Sequence, residues 1–215
     1  MNPRLGILWI ILLCSTLLSA QRKDLSIHFS AMIIQGEAMG DGMISDDVGY
    51  GLSFNYNMPL AGDRFCFSLA GTFIYSSIDY VAPYSKTLQY YKGSSRHSSL
   101  GAGLVYFPFL KHSLPNMYHP YRFYMSGYVG AAWQSNSTAH AVNLPDSYNL
   151  HEGNSFLPYY EGLIGLKIRV NPSLSVDVYG GGRTTLTDEI DGIIGSGAGF
   201  DIMGRIGLGL SFRLP

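Results

Sequence analysis

The side chains that could carry chemistry are few and scattered along the chain. His97 stands among Ser94, Ser95, Ser98 and Ser99. A hydroxyl beside an imidazole is the heart of an acyl-transfer site, but a third group must orient the ring. The spacing supplies no such group, so the residues favour a polar strand end. Acidic residues gather twice, as Asp41, Asp46 and Asp47 and as Asp188, Glu189 and Asp191, with Asp201 beyond. Oxygen clusters can hold a divalent cation, but neither follows the spacing of a calcium loop, and solvated turns account for both. His140 and His151 lack a ligand-like interval. The two cysteines are Cys14, inside an apolar N-terminal run, and Cys66. The residues therefore predict no catalytic set, no metal and no cofactor.

What would position these residues is a series of strands. Apolar side chains recur at every second residue, which places them on one face of an extended chain; a helix would scatter them around its circumference. The last such segment is the clearest: Ile206, Leu208, Leu210, Phe212 and Leu214 alternate with Arg205, Gly207, Gly209, Ser211 and Arg213. Upstream, Leu25, Ile27, Phe29, Ala31 and Ile33 oppose His28 and Ser30, and Val48, Tyr50, Leu52, Phe54 and Tyr56 oppose Gly49, Gly51, Ser53 and Asn55. Similar segments begin near Phe65, Leu100, Tyr121, Tyr160 and Leu174. About eight strands follow, with long Gly- and Ser-rich connections at 35–47, 77–95, 135–154 and 184–200. Short turns at 58–63 and 171–173 hold Pro59 and Pro172, and 108–120 is intermediate.

The composition says where such strands belong. The chain of 215 residues is 47% hydrophobic but only 13% charged, against about 25% charged in ordinary soluble domains. A net charge of -1 offers no basic footprint for nucleic acid. Residues 1–20 read as a cleaved signal peptide: Arg4, the apolar run Leu5–Leu18, and a small-residue site at Ser19-Ala20. Residues 21–215 then form a single domain. The expected fold is all-β, an eight-stranded antiparallel transmembrane β-barrel in a bacterial outer membrane, in contact with its lipid. Long loops face outward, and short turns and both termini face the periplasm.

Eight strands leave an interior that side chains can fill. On the predicted inner face stand Arg122, Glu161, Lys167, Arg169, Asp177, Arg205 and Arg213. Charges in so narrow a space must pair or stay hydrated, so they are expected to form an ion-pair network that plugs the lumen. A conduit for a small solute is the alternative. The segment 108–120 carries Leu114 and Met117 beside Lys111, an apolar and cationic mix suited to a partner contact.

Three stretches resemble small outer-membrane barrels of Bacteroidetes. They are Val105-Tyr106-Phe107-Pro108-Phe109; Leu157-Pro158 through Gly162, Gly165 and Lys167 to Asn171; and Thr185-Leu186-Thr187-Asp188-Glu189-Ile190-Asp191-Gly192. The chain departs from their pattern at Glu189 and Gly192. The group it looks most like is the PorG-like component of the type IX secretion machinery. That resemblance implies a non-enzymatic barrel that anchors periplasmic secretion proteins through turns near Asp63, Lys111 and Asn171. Two other function classes stay open. One is a barrel enzyme acting on envelope lipid or peptide; the other is a general envelope-integrity or adhesion barrel.

Overall fold

The computed structural model describes residues 23–35, 44–45, 48–60, 64–82, 89–109, 120–143, 149–150, 152–186, 193–194 and 202–214. Their strands are β1 (Asp24–Gln35), β2 (Ile44–Ser45), β3 (Val48–Pro59), β4 (Phe65–Ala82), β5 (Gln89–Tyr106) and β6 (Tyr121–Val142). They continue with β7 (Asn149–Leu150), β8 (Gly153–Arg169), β9 (Leu174–Thr185), β10 (Ile193–Ile194) and β11 (Ile202–Arg213). Eight of these form a ring. Its order is β4-β3-β1-β11-β9-β8-β6-β5, and β5 pairs back onto β4. Every pairing is antiparallel. Closure leaves no unpaired sheet edge around the ring, the condition for a sheet to cross a bilayer.

The alternation read from the sequence sets which face each residue takes. On β6, Tyr124, Ser126, Tyr128, Ala132, Gln134 and Asn136 are buried, while Tyr121, Met125, Val129 and Trp133 are exposed. The buried set is rich in Ser, Asn, Thr, His and charged residues. The exposed set is rich in Leu, Ile, Val and Phe, with Phe29 at 66% and Ile206 at 68%. This inversion of a soluble protein's pattern suits a barrel with lipid outside and polar groups within. Four inward tyrosines, Tyr124, Tyr128, Tyr159 and Tyr179, belong to one buried cluster of the interior. They fit because glycines face them. A Cβ on Gly165 would stand 2.5 Å from the Tyr124 ring, and one on Gly207 would stand 2.5 Å from Tyr179.

The ring is uneven in height. β1, β3, β9 and β11 have 12 residues each, about the number that crosses a bilayer at a steep tilt. β4 and β5 have 18, β6 has 22 and β8 has 17, and these four are neighbours in the ring. Among the described residues, half of the wall therefore rises beyond the rest. This corrects the long connections expected at 77–95 and 135–154. β4 runs to Ala82, β5 starts at Gln89, β6 runs to Val142 and β8 starts at Gly153. The expected loops look unlike strands because the one-sided apolar period lapses there, as at Lys92, Ser94, Ser95 and Arg96, where polar side chains stand at successive positions. Backbone pairing persists through Lys92, Ser94, Ser95 and Arg96 regardless, because the ladder needs no apolar face once it leaves the membrane.

The short turns are built from local chemistry. Asn171 Oδ1 accepts the N–H groups of Ser173 and Leu174, both at 2.8 Å. Pro172 sits inside this loop, where its missing N–H costs nothing. At the same end of the barrel, Leu60 N–H bonds Phe65 O at 2.7 Å and Leu214 N–H bonds Lys23 O at 2.7 Å.

Candidate functional site

The barrel offers three places for function: the lumen, its turn end and its long-strand end. At mid-height in the lumen lies one charged cluster. Glu161 on β8 is directly opposite Arg183 on β9. Arg183 Nη2 donates to Glu161 Oε2 at 2.6 Å and its Nε donates to the same oxygen at 3.2 Å. Arg205 on β11 donates to the other oxygen, Glu161 Oε1. The two guanidiniums are held from their far sides. Arg183 Nη1 reaches Ser99 Oγ at 3.0 Å, and Arg205 Nη2 reaches Tyr179 OH at 3.2 Å and Ser53 Oγ. Arg183 also lies over the Tyr159 ring, 4.1 Å from its centroid. Groups from β3, β5, β8, β9 and β11 thus meet across the lumen. Planar guanidiniums that share one carboxylate bury charge stably when their N–H groups are occupied; here only Arg205 Nε is left without a hydrogen-bond partner among the described residues.

Closer to the turn end is a second network. Asn55 Nδ2 lies 3.1 Å from His28 Nδ1, and His28 Nε2 lies 3.0 Å from Asp177 Oδ2. An amide NH₂ can only donate, so His28 Nδ1 accepts and its Nε2–H donates to Asp177. Ser211 Oγ also donates to Asp177 Oδ2, and Ser26 and Ser211 are joined at 2.6 Å. The network borders a small cavity of about 30 Å³. The buried oxygens Asn57 Oδ1 and Asp177 Oδ1 have no protein partner, and Asn57 and Asp177 both line that cavity.

The turn end itself opens on a concave mouth lined by Arg122, Lys167, Arg169, Arg213 and Asp24. Lys167 Nζ is 3.6 Å and Arg213 Nε is 3.8 Å from Asp24. Arg169 donates to the turn carbonyls of Asn171 at 3.2 Å and Pro172 at 3.3 Å.

The charged residues assigned to the lumen by sequence thus separate. Glu161 and Arg205 form the middle cluster, Asp177 joins the histidine network, and Arg122, Lys167, Arg169 and Arg213 line the mouth. Arg183, Asp24 and His28 complete these groups without having been assigned to them. A signal for each was present: His28 was already on the polar face, Asp24 is in phase with it, and Arg183 is in phase with Asp177 and Tyr179. Glycines at 180, 181 and 182 erase the apolar marker just before Arg183. Lys111, Leu114 and Met117 lie outside the described residues, as do the signal segment 1–20, Asp63, His151 and both acidic clusters.

The serine–histidine candidate is brought together on β5. His97, Ser95 and Ser99 face inward and are buried, while Ser98 faces outward. Ser95 Oγ donates to Asn136 Oδ1 at 2.6 Å, and Gln134 Nε2 donates to the same oxygen at 2.7 Å. The hydroxyl has one proton, so the 2.9 Å contact between Ser95 Oγ and His97 Nε2 is made by the imidazole N–H. In this arrangement the serine proton points to Asn136, away from the ring that would have to take it. Among the described residues no group of three or more His, Cys, Asp and Glu is arranged to hold a metal.

On the outer face, aromatic residues mark two levels. Toward the turns, Phe65 stacks on Tyr106 at 4.7 Å, and Phe109 packs against Phe123 at 5.8 Å. Toward the long strands, Trp133 meets Phe156 edge-on at 5.3 Å. Along β6, Tyr121 and Trp133 are twelve residues apart. At ~3.4 Å per residue and a tilt of about 45°, that is roughly 29 Å of height, the thickness of a hydrocarbon core. The chain is a transmembrane β-barrel of the bacterial outer-membrane type. No family model and no curated protein matches the sequence. Among solved structures, it is similar to the attachment invasion locus protein Ail of Yersinia pestis, at 12% identity and a TM-score of 0.48, over 90% of this chain and 99% of that one. Neisserial surface protein A matches at 13% identity and 0.48, over 89% and 97% of the two chains. Outer membrane protein OprG of Pseudomonas aeruginosa matches at 12% and 0.45, over 90% and 96%. The architecture stated above rests on the strand register of this chain and not on these likenesses.

Proposed function

We propose that this barrel is a non-enzymatic anchor in the outer membrane that docks periplasmic proteins of a secretion complex, as the PorG-like resemblance implies. In this reading the turn end and both termini face the periplasm, and the raised half-wall faces outward. The observation that carries it is the Glu161–Arg183–Arg205 cluster. Five strands commit side chains to it across the middle of the lumen. A barrel so filled works through its ends and its outer surface, not by letting solutes through. The Ser95 proton, directed to Asn136, supports a role without catalysis. The motifs Val105–Phe109 and Leu157–Asn171 support the secretion assignment.

Deleting the gene and comparing proteins in the medium and the periplasm by mass spectrometry tests this reading. Exported cargo should accumulate in the periplasm and return to the medium on complementation. Unchanged secretion would refute the secretion role. Cysteines placed at Asn171 and Ser137 and probed with an impermeant maleimide on intact cells test the orientation. Only the Ser137 site should label.

A further inference from the structure

On the turn-end side of the middle cluster, the lumen holds oxygen atoms that the chain itself does not satisfy. Asp177 is 1% exposed. Its Oδ2 accepts from His28 and Ser211, while its Oδ1 is buried without a partner among the described residues. Asn57 Oδ1 on β3 is buried in the same condition. Lys167 on β8 stands directly opposite Asp177 in the β8–β9 ladder. Its ammonium lies 3.6 Å from Asp24, longer than a close charged hydrogen bond. Asn57, Lys167 and Asp177 all line one cavity of about 30 Å³. A buried water takes roughly 10–15 Å³ of such space, so the cavity has room for about two.

We infer that this cavity is a hydration site, in which bound water bridges Lys167 to Asp177 and Asn57 and so ties β8, β9 and β3 together. Both bare oxygens are acceptors, so the occupant must bring each of them a hydrogen or a positive charge. Water has two O–H groups for the two oxygens and lone pairs for the lysine N–H groups. A metal cation would share the space with the Lys167 ammonium, and the like charges would repel. An apolar molecule would leave both acceptors bare, which is costly in a buried place. The site makes the turn-end half of the lumen wet. Beyond the middle cluster the interior is dry: Met203, two residues past Arg205 on β11, packs with Met32 and Ile74, all three 1% exposed. The inference concerns the interior alone and holds whatever the barrel docks.

The test is X-ray radiolytic labelling of the purified full chain refolded into phosphatidylcholine nanodiscs, read by mass spectrometry. Hydroxyl radicals made from a bound water oxidise the side chains beside it, even where bulk solvent does not reach. Phe107 and Tyr124 line the cavity and are only 6% and 7% exposed, and both should be oxidised. Met32 and Met203 are more readily oxidised side chains, yet they should stay unmodified. Asn57→Leu removes one acceptor and fills the space, so it should abolish the labelling of Phe107 and Tyr124. Heat-modifiable gel mobility checks that the variant folds; if it does not, the labelling pattern of the unsubstituted chain decides alone. Unmodified Phe107 and Tyr124, equal oxidation of Met32 and Met203, or labelling unchanged in N57L would overturn the inference. So would a loss of urea stability when choline replaces sodium at equal ionic strength, if N57L abolishes that loss, because the cavity would then hold a cation.

Discussion

Glu161 and Arg183 face each other across the β8–β9 ladder, joined at 2.6 Å with both side chains about 96% buried. This pair is the centre of the lumen, because Arg205 reaches the same carboxylate from β11. Substituting Glu161→Gln keeps the shape but leaves two buried guanidiniums around a neutral amide. Losing one partner of a buried ion pair typically costs about 3–5 kcal/mol. Urea unfolding of the refolded barrel should show a loss of that order. The double variant E161Q/R183Q should lose less than the sum of the single variants, since the groups act as one unit. Full additivity would mean that the cluster does not hold the interior together.

The histidine network predicts a steric effect at a distance in sequence. A Cβ at Gly209 would lie 1.8 Å from His28 Cδ2, so Gly209→Ala must displace the ring that bonds Asp177. Overpacking of this kind costs about 1–3 kcal/mol, and the same unfolding assay reads it. Gly127→Ala is the control, because a Cβ there meets nothing within 4 Å. Equal stability of the two variants would argue against the placement of His28.

The aromatic levels predict where lipid begins and ends. Val129 is outward and 56% exposed between the two levels, whereas Ser137 is outward on the part of β6 beyond Trp133. An arginine near the bilayer midplane costs ~2–4 kcal/mol and near the interface ~0–1 kcal/mol. Val129→Arg should therefore destabilise the bilayer-embedded barrel far more than Ser137→Arg. Comparable costs would move the hydrocarbon boundary.

The hydroxyl of Ser95 predicts a silent substitution. Ser95→Ala removes the link between His97 and Asn136 at a cost of about 1 kcal/mol. The secretion phenotype of the deletion strain should still be complemented in full. A serine-directed phosphonate probe should leave Ser95 unlabelled; labelling that disappears in S95A would favour the enzyme reading over the anchor.

The strands and their faces were legible in the sequence because lipid and lumen alternate at every residue. The sign of each position on β11 or β3 follows from its neighbours at two-residue spacing. The long connections were misjudged where that contrast vanishes. Around Lys92–Arg96 the outward Lys92 and Arg96 are as polar as the buried Ser95, so the residues carry no apolar period although the ladder continues. The same loss of contrast hid Arg183 behind Gly180, Gly181 and Gly182.

The sequence by itself determined an antiparallel all-β chain with apolar and polar faces, because side-chain alternation is a local property of extended backbone. Only the tertiary structure decided that β5 closes onto β4, that half of the wall is taller, and which charge meets which. Glu161 and Arg205 are far apart along the chain, and nothing local to either names the other. Their meeting depends on ring order and register. The closed ring fixes both, and it leaves the cations of the mouth gathered at one end of the lumen.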